Sequence, residues 1–128
     1  MELLKASAGR PELLADLQSD YERVCRELTR IVQEGLVNVR KHSHARSALV
    51  RLSARNGHWT LLIEDDGRGF SFAGRLTQAE LDAQAKGPLV IKERVRVIAG
   101  ELAIESNPGQ GSRLEISVPQ KPEAAYGQ

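Results

Sequence analysis

The sequence predicts an α/β (α+β) fold, a two-layer α/β sandwich in which helices cover one face of a mixed, mostly antiparallel sheet. Two observations favour it: strand patterns occur in two pairs, each joined by a short turn, and an amphipathic helix pattern precedes each pair. A chain of 128 residues is long enough for one hydrophobic core and too short for two. We therefore expect one domain over residues 20–119, with an N-terminal appendage at residues 1–19 and a flexible tail at residues 120–128.

The first predicted element is a long helix that begins near Asp20, a suitable N-cap residue. After it, apolar residues recur at steps of three and four, which is the spacing of one helix face. They are Tyr21, Val24, Cys25, Leu28, Ile31, Val32, Leu36 and Val39. This pattern predicts an amphipathic helix of about six turns.

Each predicted hairpin has its own turn signal. Residues 48–55 and 59–63 alternate in polarity on either side of Asn56-Gly57, a pair typical of a two-residue β-turn. The segments ELAIES and SRLEISVP flank the turn NPGQG in the same way. These four segments therefore predict four strands.

Two helices are expected between the hairpins. Residues 77–85 have the composition of a short helix. Pro88 suits the first position of a second helix, and Gly100 suits its end. Within that helix one apolar face is formed by Ile91, Val95 and Ile98.

Composition narrows the class of partner. Hydrophobic residues make up 41% of the chain and charged residues 27%, with a formal net charge of +1, so neither disorder nor binding to bulk nucleic acid is indicated. Cys25 is the only cysteine and cannot form an internal disulfide, which favours a reducing, cytoplasmic setting. No apolar run approaches the roughly 20 residues of a bilayer span, so we expect no direct membrane contact.

Three polar side chains follow one edge of the long helix's apolar face. At about 100° per residue, Glu34, Asn38 and Lys41 lie within roughly 60° of one another. A carboxylate and an amide oxygen suit Mg²⁺ bound to phosphate, and an ammonium suits the phosphate charge. The residues alone leave a second interpretation open, a solvated helix flank with one intrahelical ion pair. We expect the neighbouring His42 to be a core or rim histidine rather than a ligand.

A glycine-punctuated loop follows the second predicted strand. Gly67 and Gly69 permit backbone conformations closed to other residues and a close approach of the backbone to a ligand. Asp65, at the strand end, can accept a hydrogen bond from an exocyclic amine such as that of adenine. An ordinary Asp-Gly turn is the alternative that these residues leave open.

Three segments occur together and in order: QEGLVNVRKH at residues 33–42, DDGRGF at residues 65–70 and NPGQGSRLEISVP at residues 107–119. They resemble the N box, the first glycine box and the closing strand of the ATPase superfamily that includes gyrase, chaperones, histidine kinases and mismatch-repair proteins. The pattern is most similar to the catalytic domain of two-component sensor histidine kinases and covers about residues 28–119. The resemblance implies a Bergerat-type fold with ATP held between the long helix and an irregular lid.

The resemblance also implies roles for the N-box residues. Asn38 matches the Mg²⁺ ligand, and Glu34 matches the catalytic acidic residue that orients water or metal. Lys41 matches a phosphate contact. ATP and Mg²⁺ are the implied cofactors.

Further roles follow for the remaining boxes. Asp65 matches the carboxylate that recognises adenine, and Gly67 and Gly69 match the loop glycines. Ser112 stands where a Ser or Thr supports the adenine site.

The second glycine box departs from the family pattern, because KGPLVIKER replaces a sequence like GLGLxGMRER. Gly87 is retained as a nucleotide contact, whereas Pro88 replaces a leucine and Val90 replaces a glycine. Pro88 has no N–H, although N–H groups at a helix start normally hold phosphates. Two hypotheses remain: Lys86 or Lys92 compensates by its charge, or nucleotide binding is weak or lost.

The function implied by the resemblance is transfer of the γ-phosphoryl group of Mg-ATP to a histidine on a separate dimerisation domain, with a response regulator downstream and a membrane-anchored sensor as one parent architecture. None of His42, His44 and His58 is followed by an acidic residue, so this fragment is not expected to phosphorylate itself. The alternative is a degenerate pseudokinase that serves as a protein-interaction module. A serine kinase of the same superfamily is disfavoured by RKHSHA and the KERV helix.

Overall fold

The computed structural model describes the backbone of residues 11–120 and the side chains of residues 18–120. Residues 1–10 of the predicted appendage and 121–128 of the predicted tail lie outside the described residues. The elements are α1 (Pro11–Asn38), a π-helical turn (Val39–Ser43), β1 (Ala48–Arg55), β2 (His58–Asp65), β3 (Gly74–Thr77), α2 (Gln78–Ala83), α3 (Leu89–Val97), β4 (Glu101–Asn107) and β5 (Gly111–Pro119).

Helix α1 is longer than the apolar pattern predicts. It begins at Pro11 among the described residues, so Asp20 lies inside the helix and is not its cap. A proline suits the first turn because its missing N–H has no helical partner there. The boundary proposed between residues 19 and 20 therefore lies within one continuous helix.

The five strands form one sheet in the order β1-β2-β5-β4-β3. The mostly antiparallel sheet is confirmed, and among the described strands all four pairings are antiparallel. Both predicted hairpins are present, and Asn56 and Gly57 have φ of 55° and 78°, as a two-residue hairpin turn requires. Strand β3 was not predicted and pairs with β4 at one edge.

The core lies between the sheet and the helices α1 and α3. Helix α1 contributes Leu28 and Ile31, and α3 contributes Ile91 and Val95. The sheet supplies alternate residues from its strands, which are Leu61, Ile63, Leu102, Ile104, Leu114, Ile116 and Val118. An ion pair between Glu27 and Arg94, at 3.2 Å, joins α1 to α3.

Helix α1 runs along β2 in the same direction as the strand. The Tyr21 and Trp59 rings lie 6.1 Å apart near the start of β2. Further along, a Cβ on Gly35 would lie 2.9 Å from Ile63, so glycine lets the helix approach the strand closely. The C-terminal ends of α1 and β2 therefore meet at one edge of the domain.

The ends of α2 and α3 differ in detail from the prediction. Thr77 caps α2 through a capping box with Glu80, so the helix is shorter than residues 77–85. Pro88 is the N-cap of α3 and not its first helical residue. At the C-terminus of α3 the residue in the left-handed conformation is Ala99, with φ of 55°. Gly100 follows it, and a Cβ at this position would lie 3.1 Å from the Ser117 carbonyl oxygen.

Candidate functional site

A cavity of about 400 Å³ lies where α1 and β2 end. This volume is within the range of small-molecule sites. The lining comes from the helix end, the π-helical turn, the loop after β2, the start of α3 and β5, and consists of Gly35, Asn38, Val39, His42, Ser43, Ile63, Asp65, Arg68, Gly69, Phe70, Gly87, Pro88, Ile91, Ser112 and Leu114. The cavity therefore joins all the segments that carry the sequence motifs.

Asp65 is held in place by two hydrogen bonds. The Gly67 N–H donates to its Oδ1 at 2.8 Å, and the Ser112 hydroxyl donates to its Oδ2 at 2.9 Å. The second bond follows from the sheet register, which places Asp65 opposite Ser112. A carboxylate has about four acceptor positions, so Asp65 can still accept a hydrogen bond from a ligand amine.

The loop after β2 is fixed by close backbone packing. A Cβ on Gly67 would lie 2.3 Å from the Ser43 carbonyl oxygen, so only glycine fits. The Arg68 N–H donates to the same oxygen at 2.7 Å. Gly69 has φ of 76°, and its missing Cβ would lie 2.9 Å from Gly111 O. The loop is thereby clamped between the π-helical turn and the β4–β5 turn.

The π-helical turn decides which N-box side chains reach the cavity. Asn38 and His42 both line the cavity. Lys41 is exposed and outside the lining. A π-helix bonds i to i+5 and has more residues per turn than an α-helix, so the side chain three positions after Asn38 is rotated further from it, while the one four positions after it stays on the same face. His42 therefore lies beneath Asn38, and Lys41 is rotated away.

The remaining predicted site residues divide in the same way. Gly87, with φ of 92°, lines the cavity beside Pro88 and Ile91. Glu34 is half-buried on α1 outside the lining. The Lys92 side chain is also outside it, because its ammonium is bound to Asp82 and to the Lys86 carbonyl.

Sequence reasoning missed two candidate hydrogen-bond donors on the cavity lining. His42 is exposed at the cavity rim, one of the two positions expected for it, and its place on the lining makes it a candidate ligand contact. Arg68 lines the cavity, and within residues 18–120 its guanidinium has no hydrogen bond or ion pair. The only sequence signal for Arg68 is its place between the two glycines of DDGRGF, where a loop side chain must point away from the packed backbone.

Asp66 organises the approach to β1. Its carboxylate accepts from the Arg46 N–H at 2.8 Å, from the Ser47 N–H at 3.0 Å and from the Ser47 hydroxyl at 3.1 Å. The Ser47 backbone bond is the largest cause that holds the Asp66 pKa below its ordinary value. This residue thus ties the segment before β1 to the end of β2.

A second, more open depression of about 590 Å³ lies on the other face of the sheet. Its lining includes the carboxylates of Glu64, Asp66 and Glu105. Its one arginine, Arg113, is already paired with Glu64 at 3.3 Å. A polyphosphate would be repelled here, so the smaller cavity is the better candidate for an anionic nucleotide.

Comparison with known proteins identifies the family. Residues 24–122 match the model of the histidine kinase-, DNA gyrase B- and HSP90-like ATPases. The chain belongs to this ATPase family. It is accordingly an ATP-binding domain, and the resemblance stated from its motifs is confirmed.

Several proteins that are similar to this chain are sensor histidine kinases. The signal transduction histidine-protein kinase/phosphatase DegS of Brevibacillus brevis is 36% identical over 92 residues, which are 72% of this chain and 22% of that protein. ComP of Bacillus subtilis is 35% identical over 90% of this chain and 14% of its own length. LiaS of the same organism is 36% identical over 75% of this chain and 25% of its own length. The ATPase domain thus spans only 14% to 25% of these relatives.

A solved structure gives the same family. The histidine kinase domain of the blue-light activated histidine kinase EL346 from Erythrobacter litoralis superposes with a TM-score of 0.54 and 25% sequence identity. The match covers 73% of this chain and 43% of that chain. Among the described residues, no helix of the ATPase domain is long and apolar enough to cross a membrane.

Proposed function

We propose that this chain holds Mg-ATP in the 400 Å³ cavity and positions its γ-phosphoryl group for transfer to a histidine on a separate dimerisation domain. The observation that carries the proposal is the convergence of Asp65 and Asn38 on one cavity, although α1 and β2 are separate elements. In this proposal Asp65 accepts the adenine amine while Ser112 and Gly67 hold its carboxylate. Gly69, which packs against the β4–β5 turn, contributes backbone to the same lining.

The phosphate end requires cations, since a triphosphate carries several negative charges. Asn38 supplies an amide oxygen to the cavity, and Mg²⁺ accepts one protein ligand together with phosphate oxygens and waters. This donor fits such a metal, which would neutralise phosphate charge when bound. Arg68 and His42 lie on the same lining and can donate hydrogen bonds to phosphate oxygens.

The proposed phosphotransfer depends mainly on positioning and charge neutralisation, because the protein forms no covalent intermediate in such a step. Glu34 lies one turn before Asn38 on α1, outside the cavity lining. Its catalytic role therefore requires the histidine-bearing domain to approach over this rim. The phosphohistidine would then serve a response regulator.

The test is a calorimetric titration with Mg-ADP of the wild type, Asp65→Ala and Asn38→Ala. We expect binding of about 4 to 8 kcal/mol in the wild type, lost in both variants because each removes one end of the site. Glu101→Ala, at an exposed position at the start of β4, is the control and should bind normally. A wild type that shows no heat at millimolar nucleotide would overturn the proposal.

An interaction module without turnover is the second candidate. The observation that favours it is the start of α3, where Pro88 is the N-cap and cannot donate an N–H to phosphate. Leu89 and Val90 beside it are exposed apolar residues. The same titration identifies such a module if it has lost nucleotide binding, and a module that binds Mg-ATP without turnover is recognised when the histidine-bearing domain, added to it with Mg-ATP, is not phosphorylated.

A further inference from the structure

Lys92 is the one buried side chain with a full charge among residues 18–120. Its side chain is 9% exposed. A buried ammonium is costly unless every donor finds a partner. Its partners therefore indicate what the residue does.

The Lys92 ammonium joins three segments. It donates to the Lys86 carbonyl oxygen at 2.9 Å and forms an ion pair with Asp82 Oδ1 at 3.3 Å. The other Asp82 oxygen pairs with Arg96 at 3.3 Å. This Lys92 network, formed by Lys92, Asp82 and the Lys86 carbonyl, connects α3 to the end of α2 and to the turn between them.

The connected turn is one wall of the nucleotide cavity. After the end of α2, the chain turns at Ala85, which has φ of 53°. The Lys86 N–H donates to the Leu81 carbonyl oxygen at 2.8 Å and closes this turn. The next two residues, Gly87 and Pro88, line the cavity. Pro88 has no N–H with which to fix this wall, and the bond from Lys92 holds the turn instead at the Lys86 carbonyl, one peptide unit earlier.

We propose that Lys92 is a positioning residue that holds residues 86–88 against the bound nucleotide. It acts from behind the wall and does not contact phosphate. The proposal deepens the proposed function, on which it rests for the identity of the ligand. In this proposal Lys92 fixes the turn and does not compensate by its charge at the phosphates.

The first measurement is hydrogen exchange of the full chain without nucleotide, compared between wild type and Lys92→Met. Methionine keeps an unbranched apolar stem in the space and removes the donor. We expect amides of residues 85–91 to exchange at least tenfold faster, with β2 and β5 unchanged. Arg51→Met, on the exposed strand β1, is the matched control, because it also replaces a cationic side chain by methionine and leaves the turn untouched.

The second measurement is Mg-ADP affinity of the same variants. We expect Lys92→Met to weaken binding roughly tenfold, about 1.4 kcal/mol, and Arg51→Met to bind within twofold of wild type. Asp82→Asn serves if Lys92→Met does not fold, since it weakens the network from the exposed partner and should produce a smaller change in the same amides.

The outcomes separate the two proposals. Unchanged exchange of residues 85–91 in Lys92→Met, or in Asp82→Asn if that variant is used, overturns the positioning role. Faster exchange with unchanged affinity also overturns it, because the wall would then not matter to the nucleotide. A wild type that binds no Mg-ADP overturns the proposed function and the ligand assignment, while exchange still decides whether Lys92 fixes the turn.

Discussion

Asp65 and Arg68 give the cavity an asymmetric chemistry. Asp65 is already held by a backbone N–H and by the Ser112 hydroxyl, so it is rigid and suited to one directional hydrogen bond. Arg68 has no described partner and can move to meet phosphate oxygens. In the proposed function the two residues therefore divide recognition into a base end and a phosphate end.

Replacing Arg68 by glutamine tests this division. The variant keeps two donors and removes the charge, so we expect Mg-ATP affinity to fall by about 1 to 2 kcal/mol, with a smaller loss in high salt because Arg68 is exposed. Adenosine, which lacks phosphates, should bind as it does to the wild type. Calorimetry with both ligands is the measurement, and Arg51→Gln on the exposed strand β1 is the control. An equal loss for adenosine would contradict the assignment.

At the scale of elements, the sequence pattern predicted those helices and strands that have a strong local signal. Asn56-Gly57 determined the first hairpin, because few dipeptides adopt two successive positive φ angles. Strand β3 was missed because it has four residues and is stabilised by pairing with β4 rather than by its own alternation. The π-helical turn was missed because a constant α-helical period was assumed, which placed Lys41 within about 60° of Asn38, whereas Lys41 is exposed and outside the cavity lining.

The turn after α2 contains Ala85, which directly precedes KGPLVIKER and aligns with the first glycine of the family pattern GLGLxGMRER. Ala85 stands where the upstream glycine of the second box is expected, and it adopts φ of 53° in the hydrogen-bonding pattern of a Schellman motif. The backbone geometry of the box is therefore kept although the residue has changed. This strain could not be anticipated from the sequence, since an alanine gives no signal for a positive φ.

Ala85→Gly should therefore stabilise the domain. Removal of the Cβ relieves the left-handed conformation, and the gain exceeds the added chain entropy of glycine, so we expect about 0.5 to 1 kcal/mol more stability in urea unfolding. Ala83→Gly is a matched control, because Ala83 is helical and the same change should destabilise by about 0.5 to 1 kcal/mol. If both variants change the free energy of unfolding in the same direction, the positive φ of Ala85 carries no strain.

At the scale of the whole molecule, the site exists because α1 and β2 run side by side and end together. This alignment is fixed by two contacts between α1 and β2, that of Tyr21 with Trp59 and that of Gly35 with Ile63. It places Asn38 and Asp65 on the lining of the same cavity. Motif order predicted both residues, but the close helix approach at Gly35 depends on long-range packing. The other face of the sheet carries exposed ion pairs such as Arg75–Glu115, so the two faces differ in chemistry.

Acid sensitivity of the whole fold should depend in part on Asp66. Its pKa is lowered in the folded state, so its contribution to stability is fully present above the unfolded value of about 3.9 and is lost as pH falls through the lower folded pKa. The stability difference between wild type and Asp66→Asn should therefore be largest near neutral pH and should shrink below about pH 4. Urea unfolding at several pH values measures it, with Glu101→Gln as an exposed-carboxylate control. A difference that stays constant down to about pH 2 would mean that the Arg46 and Ser47 bonds do not depend on the Asp66 charge.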